Sequence, residues 1–160
     1  FSITFMGSSQ VGKTSILLQQ CRSRFSDDYI PTMEDYYLTK VLVDDITVSL
    51  RILDTSGDTC CAVLHEQWIR NADAIILVYS VTDIASWCTS RDLYKRICRV
   101  RSDNPIVILV ANKIDLLHLR QVPVHLGMEL ASTMECSFLE LSVKYNTHVT
   151  DLFILAVRKI

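Results

Sequence analysis

The sequence lacks an excess of charge of either sign and lacks any long apolar run. Its 160 residues include 16 Lys and Arg against 18 Asp and Glu, for a formal net charge of -2. Nucleic-acid-binding domains usually carry a basic excess, so this balance argues against a nucleic-acid partner. The longest apolar runs, AIILVYSV from Ala74 and IVILVA from Ile106, are far shorter than the roughly 20 residues of a membrane-spanning helix. They suit buried β-strands instead.

The cysteines lack the spacing of a disulfide framework or of a zinc site. They are Cys21, Cys60, Cys61, Cys88, Cys98 and Cys136. Read as reduced thiols, they predict a cytoplasmic protein. The sequence also lacks internal repeats, linkers and low-complexity tracts, and its length suits one hydrophobic core. We therefore expect a single domain over residues 1–160.

The chain begins at Phe1 inside a predicted strand and stops at Ile160 inside a predicted helix, so we expect the native ends to extend further. A lipid anchor or a basic tail would lie in such an extension. Membrane association through a C-terminal tail therefore stays open as a property of the full-length chain.

Strands and helices alternate along most of the chain. An apolar strand over residues 1–6 precedes a helix over 14–22, and strands over 37–43 and 46–54 flank Asp44-Asp45 as a hairpin. The strands AIILVYSV, IVILVA and CSFLELS then alternate with helices near 86–101 and 123–134 and a helix at the end of the chain. This pattern predicts an α/β fold with a mostly parallel sheet, one antiparallel edge strand and helices on both faces. Ligands bind such sheets beyond the carboxyl ends of the strands, so the loops there are the candidate sites.

The first of these loops is Gly7-Ser8-Ser9-Gln10-Val11-Gly12-Lys13-Thr14, which fits the pattern G-x-x-x-x-G-K-[ST]. Glycine lets the backbone wrap around a phosphate, and the N–H groups at the start of a helix attract the anion. Lys13 would neutralise the outer phosphates, and the Thr14 hydroxyl would bind Mg²⁺. A simple glycine turn before a helix is the alternative, but it does not require four specified residues in this context.

The second loop, Asp54-Thr55-Ser56-Gly57, ends the second strand of the hairpin. A carboxylate at this point can hold the water shell of a P-loop magnesium ion, and Gly57 can bring its N–H against a terminal phosphate. The pattern D-x-x-G also occurs in ordinary turns. Its position after the third strand favours the phosphate interpretation.

The third loop, Asn112-Lys113-Ile114-Asp115, follows the strand IVILVA. The Asp115 carboxylate can accept hydrogen bonds from the N1–H and N2–H edge of guanine, which adenine lacks. Asn112 can join neighbouring loops, and the stem of Lys113 can cover a ring face. An ordinary polar turn is the alternative for these residues taken alone. The fourth loop, residues 142–144, is too short to be informative by itself.

These loops, in this order and each after a strand, resemble those of the Ras-like small GTPases across essentially the whole chain. The segment RFSDDYIPTMEDYY, residues 24–37, is similar to switch I and the effector segment of the Ras and Rap branch. The resemblance implies the P-loop NTPase fold of small G proteins, with a six-stranded, mostly parallel sheet and about five helices. It also implies a monomeric switch that binds GTP or GDP with Mg²⁺ and hydrolyses GTP.

The resemblance also assigns roles to individual residues. Phe25 would pack against guanine, Tyr29 would close over the phosphates, and Thr32 would bind Mg²⁺ and sense the γ-phosphate. The implied phosphate-binding residues are Gly7, Gln10, Val11, Gly12, Lys13, Thr14, Ser15 and Gly57. The implied base-contacting residues are Asn112, Lys113, Asp115, Ser142, Val143 and Lys144. The implied metal residues are Thr14, Thr32 and Asp54, and the catalytic candidates are Lys13, Thr32, Gly57 and Asp58.

Partner binding follows from the same resemblance. The γ-phosphate, through Thr32 and Gly57, would order two loops that relax after hydrolysis. Glu34, Asp35 and the following strand would present an acidic edge for strand addition by an effector domain, although a solvated turn is the alternative. Exchange factors and GTPase-activating proteins are the other implied partners.

The segment after Gly57 departs from the family pattern. Most members have a glutamine that orients the attacking water, whereas this chain has Asp58. An amide both donates and accepts hydrogen bonds, but an ionised carboxylate only accepts them and would lie near a polyanion. We therefore expect slow intrinsic hydrolysis. Cys60 and Cys61, which follow, are interpreted as thiols on a loop.

Two rival functions stay open. The first is a hydrolysis-deficient module that binds nucleotide and acts only through its partners, which Asp58 motivates. The second is a P-loop ATP-dependent kinase, which the guanine-selective Asp115 disfavours. The four histidines have no metal spacing, and we expect His65, His118, His125 and His148 at surface loops or helix ends.

Overall fold

The computed structural model describes residues 1–22, 34–55, 57 and 62–160, with the backbone alone at Arg22, Glu34 and residues 62–64. Its strands are β1 (Ser2–Met6), β2 (Glu34–Val43), β3 (Ile46–Thr55), β4 (Ala74–Ser80), β5 (Ile106–Asn112) and β6 (Ser137–Glu140). Its helices are α1 (Lys13–Arg22), α2 (Ala62–Arg70), α3 (Ile84–Val100), α4 (Val124–Thr133) and α5 (Val149–Lys159), with a short 3₁₀ turn at Leu117–Leu119. None of the helices in these ranges is both long and apolar enough to cross a membrane.

The six strands form one sheet in the order β2-β3-β1-β4-β5-β6. Every neighbouring pair is parallel except β2 and β3, which pair antiparallel at one edge. The hairpin turn is Asp44-Asp45, and both residues have left-handed φ angles of 49° and 64°. Such angles match the twist of a tight two-residue hairpin turn. The predicted α/β class and its single antiparallel edge are therefore confirmed.

Helices cover both faces of the sheet. Helices α1 and α5 pack on one face over Ile3, Phe5 and Ile52, and all three of these side chains are 0% exposed. Helices α2, α3 and α4 pack on the other face over Ile75, Leu77 and neighbouring residues. This enclosure explains why the parallel strands read as continuous apolar runs.

Helix α2 is the element that the apolar pattern does not reveal. It spans nine residues, and its first turn carries no acidic residue. The expectation of a surface position is wrong for His65 in this helix, which is 4% exposed. Its ring lies 4.9 Å from the ring of Trp68, three residues along on the same helix face. His118, His125 and His148 are exposed, as predicted.

Gly127 of α4 lies against the sheet without room for a side chain. A β-carbon there would lie 2.6 Å from Cζ of Phe138 and would also clash with the hydroxyl of the buried Tyr79. We expect Gly127→Ala to lower the free energy of unfolding by about 1–3 kcal/mol, because overpacking outweighs the gain in helix propensity of about 1 kcal/mol. Urea unfolding measures the change, with the exposed Ser132→Ala of the same helix as the control. A more stable Gly127→Ala protein would contradict this packing.

Candidate nucleotide-binding site

The candidate phosphate loop connects β1 to α1. Gly12 has φ 97°, and a β-carbon there would clash with Nδ2 of Asn112. Both the conformation and the close approach therefore require glycine at this position. Helix α1 starts at the next residue, so its free N–H groups face the loop, and a helix N-terminus attracts anions.

Lys13 closes the loop from within. Its Nζ donates hydrogen bonds of 2.9 Å to the carbonyl oxygens of Gly7 and of Ser8, and the residue is only 6% exposed. A lysine held across the loop in this way places its charge over the loop interior. The sequence did not indicate Ser8 as a site residue, because a backbone carbonyl carries no mark in the side-chain pattern.

Thr14 and Asp54 meet beside the loop. The hydroxyl of Thr14 donates to Oδ2 of Asp54 at 2.5 Å. Asp54 is 0% exposed, and its Oδ1 has no hydrogen-bond partner among the described residues. Burial raises the pKa of this carboxyl group, while the Thr14 hydrogen bond and the Lys13 charge act in the opposite direction. A buried carboxylate oxygen without a partner is costly, which is the environment expected of a group that completes its interactions with a ligand.

Gly57 packs directly on the phosphate loop. A β-carbon on it would clash with the backbone of Ser9 and would lie 2.6 Å from the carbonyl carbon of Ser8. The second candidate loop therefore touches the first, at the carboxyl ends of the adjacent strands β1 and β3. Thr55 supports this contact because its hydroxyl donates to the carbonyl of Phe5 at 2.7 Å.

Asn112 joins the third loop to the phosphate loop, as predicted. Its Nδ2 donates to the carbonyl oxygen of Val11 at 2.9 Å, and its Oδ1 accepts from the N–H of Lys113 at 2.7 Å. The Nζ of Lys113 donates to the carbonyl oxygen of Gln10 at 2.8 Å. Burial lowers the pKa of Lys113. Lys113 and Gln10 both have left-handed φ angles, 68° and 62°, so each loop makes a sharp bend where the two meet.

Asp115 and Ser142 link the third loop to the fourth. The Ser142 hydroxyl donates to Oδ1 of Asp115 at 2.6 Å, and the N–H of Tyr145 donates to the same hydroxyl at 3.3 Å. Ser142 and Val143 are buried, whereas Lys144 is exposed. The serine therefore fixes the orientation of the Asp115 carboxylate. The sequence placed Ser142 near the base but did not indicate that its hydroxyl holds Asp115.

The described structure thus brings all four predicted loops together at the carboxyl ends of the strands. Ser15 follows Thr14 in the first turn of α1, and Asp35 is exposed and in register with Asp54 across the hairpin. The predicted site residues Phe25, Tyr29, Thr32 and Asp58 lie outside the described residues, as do Cys60 and Cys61. The side chain of Glu34 is also outside them.

A parallel α/β sheet with these loops at its carboxyl edge defines a P-loop protein of the small G-protein class. The family model of the Ras family matches residues 2–160. GTP-binding protein Rit1 of Mus musculus is 37% identical over 161 residues, covering 100% of this chain and 74% of that protein. Ras-like protein 2 of Mucor circinelloides f. lusitanicus is 36% identical, covering 100% of this chain and 81% of that protein. Ras-like protein rasW of Dictyostelium discoideum is 40% identical, covering 98% of this chain and 73% of that protein. The chain belongs to the Ras family of small GTPases.

Proposed function

We propose that this Ras-family protein is a molecular switch that binds GTP or GDP with Mg²⁺ through one G domain over residues 1–160 and hydrolyses GTP slowly. The observation that carries the proposal is the pair of hydrogen bonds from Asn112 to Val11 and from Lys113 to Gln10. They join a loop suited to phosphates to a loop suited to guanine, and a single nucleotide would occupy both.

The phosphates would lie in the loop of residues 7–12 and at the first turn of α1. The N–H groups of Gln10, Val11 and Gly12 would face them, followed by those of Lys13, Thr14 and Ser15. Lys13 would exchange its hydrogen bonds to two loop carbonyls for the stronger charge-assisted bonds to phosphate oxygens.

The residues beside this loop fit Mg²⁺. The ion prefers hard oxygen ligands and keeps several waters, and Thr14 and Asp54 offer a hydroxyl and a carboxylate side by side. Thr14 would bind the ion directly, and Asp54 would hold its water shell through the oxygen that has no partner among the described residues. Thr32 would complete the set from switch I. The bound ion would neutralise charge on the β- and γ-phosphates.

Base selection would rest on Asp115. Its carboxylate would accept the two N–H groups of the guanine edge, and Ser142 would keep it correctly oriented. Lys113 would cover one face of the ring and Phe25 would pack against it. Val143 and Lys144 would border the base from its far side.

Hydrolysis would follow the usual displacement at phosphorus. A water oxygen attacks the γ-phosphorus, the bond to the β,γ-bridging oxygen breaks, and GDP and inorganic phosphate leave. Lys13 would stabilise the charge that develops on the phosphate oxygens, while Gly57 and Thr32 would contact the γ-phosphate. Asp58 would stand where an amide usually positions the water, and its carboxylate cannot donate a hydrogen bond to a phosphate oxygen.

We expect Asp58→Gln to hydrolyse GTP faster than the wild type, on the order of 100-fold, because the amide restores the group that positions the water. Single-turnover hydrolysis of preloaded GTP measures this rate. Asp73→Asn, an exposed acid at the opposite end of the sheet, provides a matched control. A wild type as fast as Asp58→Gln would show that Asp58 does not limit the reaction.

The switch would act through the two loops that contact the γ-phosphate. Thr32 and Gly57 would order these loops in the GTP state, and effectors would bind the edge that starts with Glu34 and Asp35. Exchange factors and GTPase-activating proteins would act on the same loops. The cysteine pattern supports a cytoplasmic location, and a lipid anchor on a longer chain would add membrane association.

A second candidate function is a nucleotide-binding module that does not hydrolyse GTP, favoured by Asp58. Identification by chromatography of the nucleotide that co-purifies, followed over time, separates the two. Bound GDP, or GTP that converts to GDP, supports the cycling switch. Persistent GTP supports the module, and bound ATP would contradict both.

A further inference from the structure

The outer face of the β2–β3 hairpin carries large apolar side chains in solvent. We define this outer face as Leu38, Lys40 and Leu42 of β2 with Thr47, Ser49 and Arg51 of β3. Leu38 is 81% exposed and Leu42 is 62% exposed. These side chains share one face, because Leu38 is paired with Arg51, Lys40 with Ser49 and Leu42 with Thr47 across the antiparallel ladder.

The opposite face of the same hairpin is covered. Its residues Val41, Leu50 and Ile52 are between 0% and 3% exposed and belong to the core beneath α1 and α5. On the outer face only the end nearest the nucleotide site is covered, since Leu53 is 5% exposed there. From Leu38 onward, the described residues leave the outer face open to solvent. A sheet face with several large apolar residues normally packs against another element.

The charge on the outer face has one sign. Lys40 and Arg51 are both exposed, and neither forms an ion pair within the part of the chain that the structure describes. The guanidinium carbon of Arg51 lies 4.7 Å from the centroid of the Tyr36 ring, which holds this charge on the face. The nearest turn residue, Asp44, is paired with Arg158 on the α5 side at 2.6 Å. The outer face is therefore apolar and basic, unlike the acidic Glu34-Asp35 end of the same strand.

We propose that the outer face of the β2–β3 hairpin is a docking surface for an acidic amphipathic helix of a partner protein. Leu38 and Leu42 are four residues apart on a strand, which corresponds to about 13 Å. Apolar residues eight positions apart on a helix are separated by about 12 Å, so leucines at positions i, i+4 and i+8 would span the two side chains. Acidic side chains flanking those leucines would meet Lys40 and Arg51.

This surface is distinct from the proposed nucleotide site and from the effector edge. None of its residues belongs to the four loops, and its strands are joined along their whole length by the β2–β3 ladder. Docking is therefore independent of the bound nucleotide. A partner could stay attached throughout a GTP cycle while effectors exchange at the switch I end.

An anionic lipid surface would have related chemistry but fits less well. Recognition of anionic lipids usually depends on clusters of roughly 4–8 basic residues. The outer face has Lys40 and Arg51 only, flanked by uncharged Thr47 and Ser49. The spacing of the apolar residues between two separated charges favours a helix.

The test uses two synthetic 18-residue helical peptides, each with a fluorescent label and with leucine at positions i, i+4 and i+8. One carries glutamate at the flanking positions and the other carries lysine. Anisotropy titration of the full chain is expected to show at least tenfold tighter binding of the glutamate peptide. Affinity is expected to be equal for the GDP-loaded and the GTP-analogue-loaded protein, and a tenfold difference between them would contradict nucleotide independence.

Charge reversal locates the surface. Lys40→Glu combined with Arg51→Glu is expected to reverse the preference between the two peptides. Lys95→Glu combined with Arg99→Glu, which makes the same charge change on exposed positions of α3, is expected to leave the preference unchanged. Guanine-nucleotide affinity of both variants reports that each is folded. A wild type that does not discriminate between the peptides, or a reversal by the α3 variant, would overturn the proposal.

The apolar contribution and the lipid alternative are tested separately. Leu38→Ser with Leu42→Ser is expected to weaken the glutamate peptide about tenfold without changing nucleotide affinity. Co-sedimentation with phosphatidylserine vesicles tests lipid binding. Vesicle binding that depends on Lys40 and Arg51, without discrimination between the peptides, would replace the partner helix by a membrane surface. Loss of nucleotide binding in the wild type would contradict the proposed switch function, but not the docking surface.

Discussion

Asp115→Asn is expected to lower the affinity for GTP by roughly 10²- to 10⁴-fold. The carboxylate would accept two hydrogen bonds from guanine, and each hydrogen bond to a charged group contributes about 1.5–3 kcal/mol. The asparagine amide keeps one acceptor and presents an N–H group toward the exocyclic N–H of guanine. Xanthine has a carbonyl at that position, so the variant is expected to prefer xanthosine triphosphate. Equilibrium competition with labelled GTP measures both affinities.

Ser142→Ala provides the matched control for this prediction. It keeps the carboxylate but removes the 2.6 Å hydrogen bond that orients it. We expect a loss of GTP affinity of about tenfold, with no gain for xanthosine triphosphate. An Asp115→Asn protein that binds GTP as tightly as the wild type would contradict the assignment of the base. Thermal unfolding of the nucleotide-free proteins separates a loss of binding from a loss of folding.

Asp54→Asn is expected to have opposite effects on stability and on nucleotide retention. The variant would lose the charge that holds the Mg²⁺ water shell, and loss of such a supporting group weakens metal binding by about 10- to 100-fold. Nucleotide release should then become nearly insensitive to Mg²⁺. The nucleotide-free variant should be more stable than the wild type at neutral pH, because it no longer buries a charge.

The pH dependence gives this prediction a sign. Burial raises the pKa of Asp54 in the folded protein, so the folded state retains a proton that the unfolded state has already released. The free energy of unfolding of the wild type therefore falls as the pH rises from below the ordinary carboxyl pKa through the raised one. The advantage of Asp54→Asn should be absent in acid and complete above the raised pKa. Urea unfolding from acid to neutral pH measures it.

Asp92→Asn, on the exposed surface of α3, provides the control for the loss of one negative charge. It should change neither the Mg²⁺ dependence of nucleotide release nor the pH dependence of unfolding. Greater stability of Asp54→Asn in acid than at neutral pH would contradict the raised pKa. Release that stays fully dependent on Mg²⁺ would contradict the metal assignment.

The sequence predicts the sheet because each parallel strand is buried on both faces and so forms a continuous apolar run. It predicts less well where tertiary position overrides the local pattern. The alternation of β3 places Ile46 with Leu50 and Ile52, yet Ile46 is 67% exposed because it lies at the hairpin tip beyond the packed core. Helix α2 is short and lacks an N-terminal signal, so its buried His65 was expected at the surface.

The candidate site shows the same limit. The four loops can be found from residue types and order, because phosphate and guanine impose specific chemical requirements on them. The bond between Ser142 and Asp115 joins residues 27 positions apart, and only the pairing of β5 with β6 brings them together. The single hydrogen bond of Asp54 likewise depends on its depth beneath the loops, which residue type does not convey.

The bridge from Asn112 to Val11 has a thermodynamic consequence for ligands smaller than a nucleotide. A guanosine fragment that orders the base loop would also order the phosphate loop, so part of the entropy cost of binding a separate pyrophosphate would already be met. The two fragments should therefore bind with positive cooperativity. By reciprocity, each should raise the affinity for the other by the same factor.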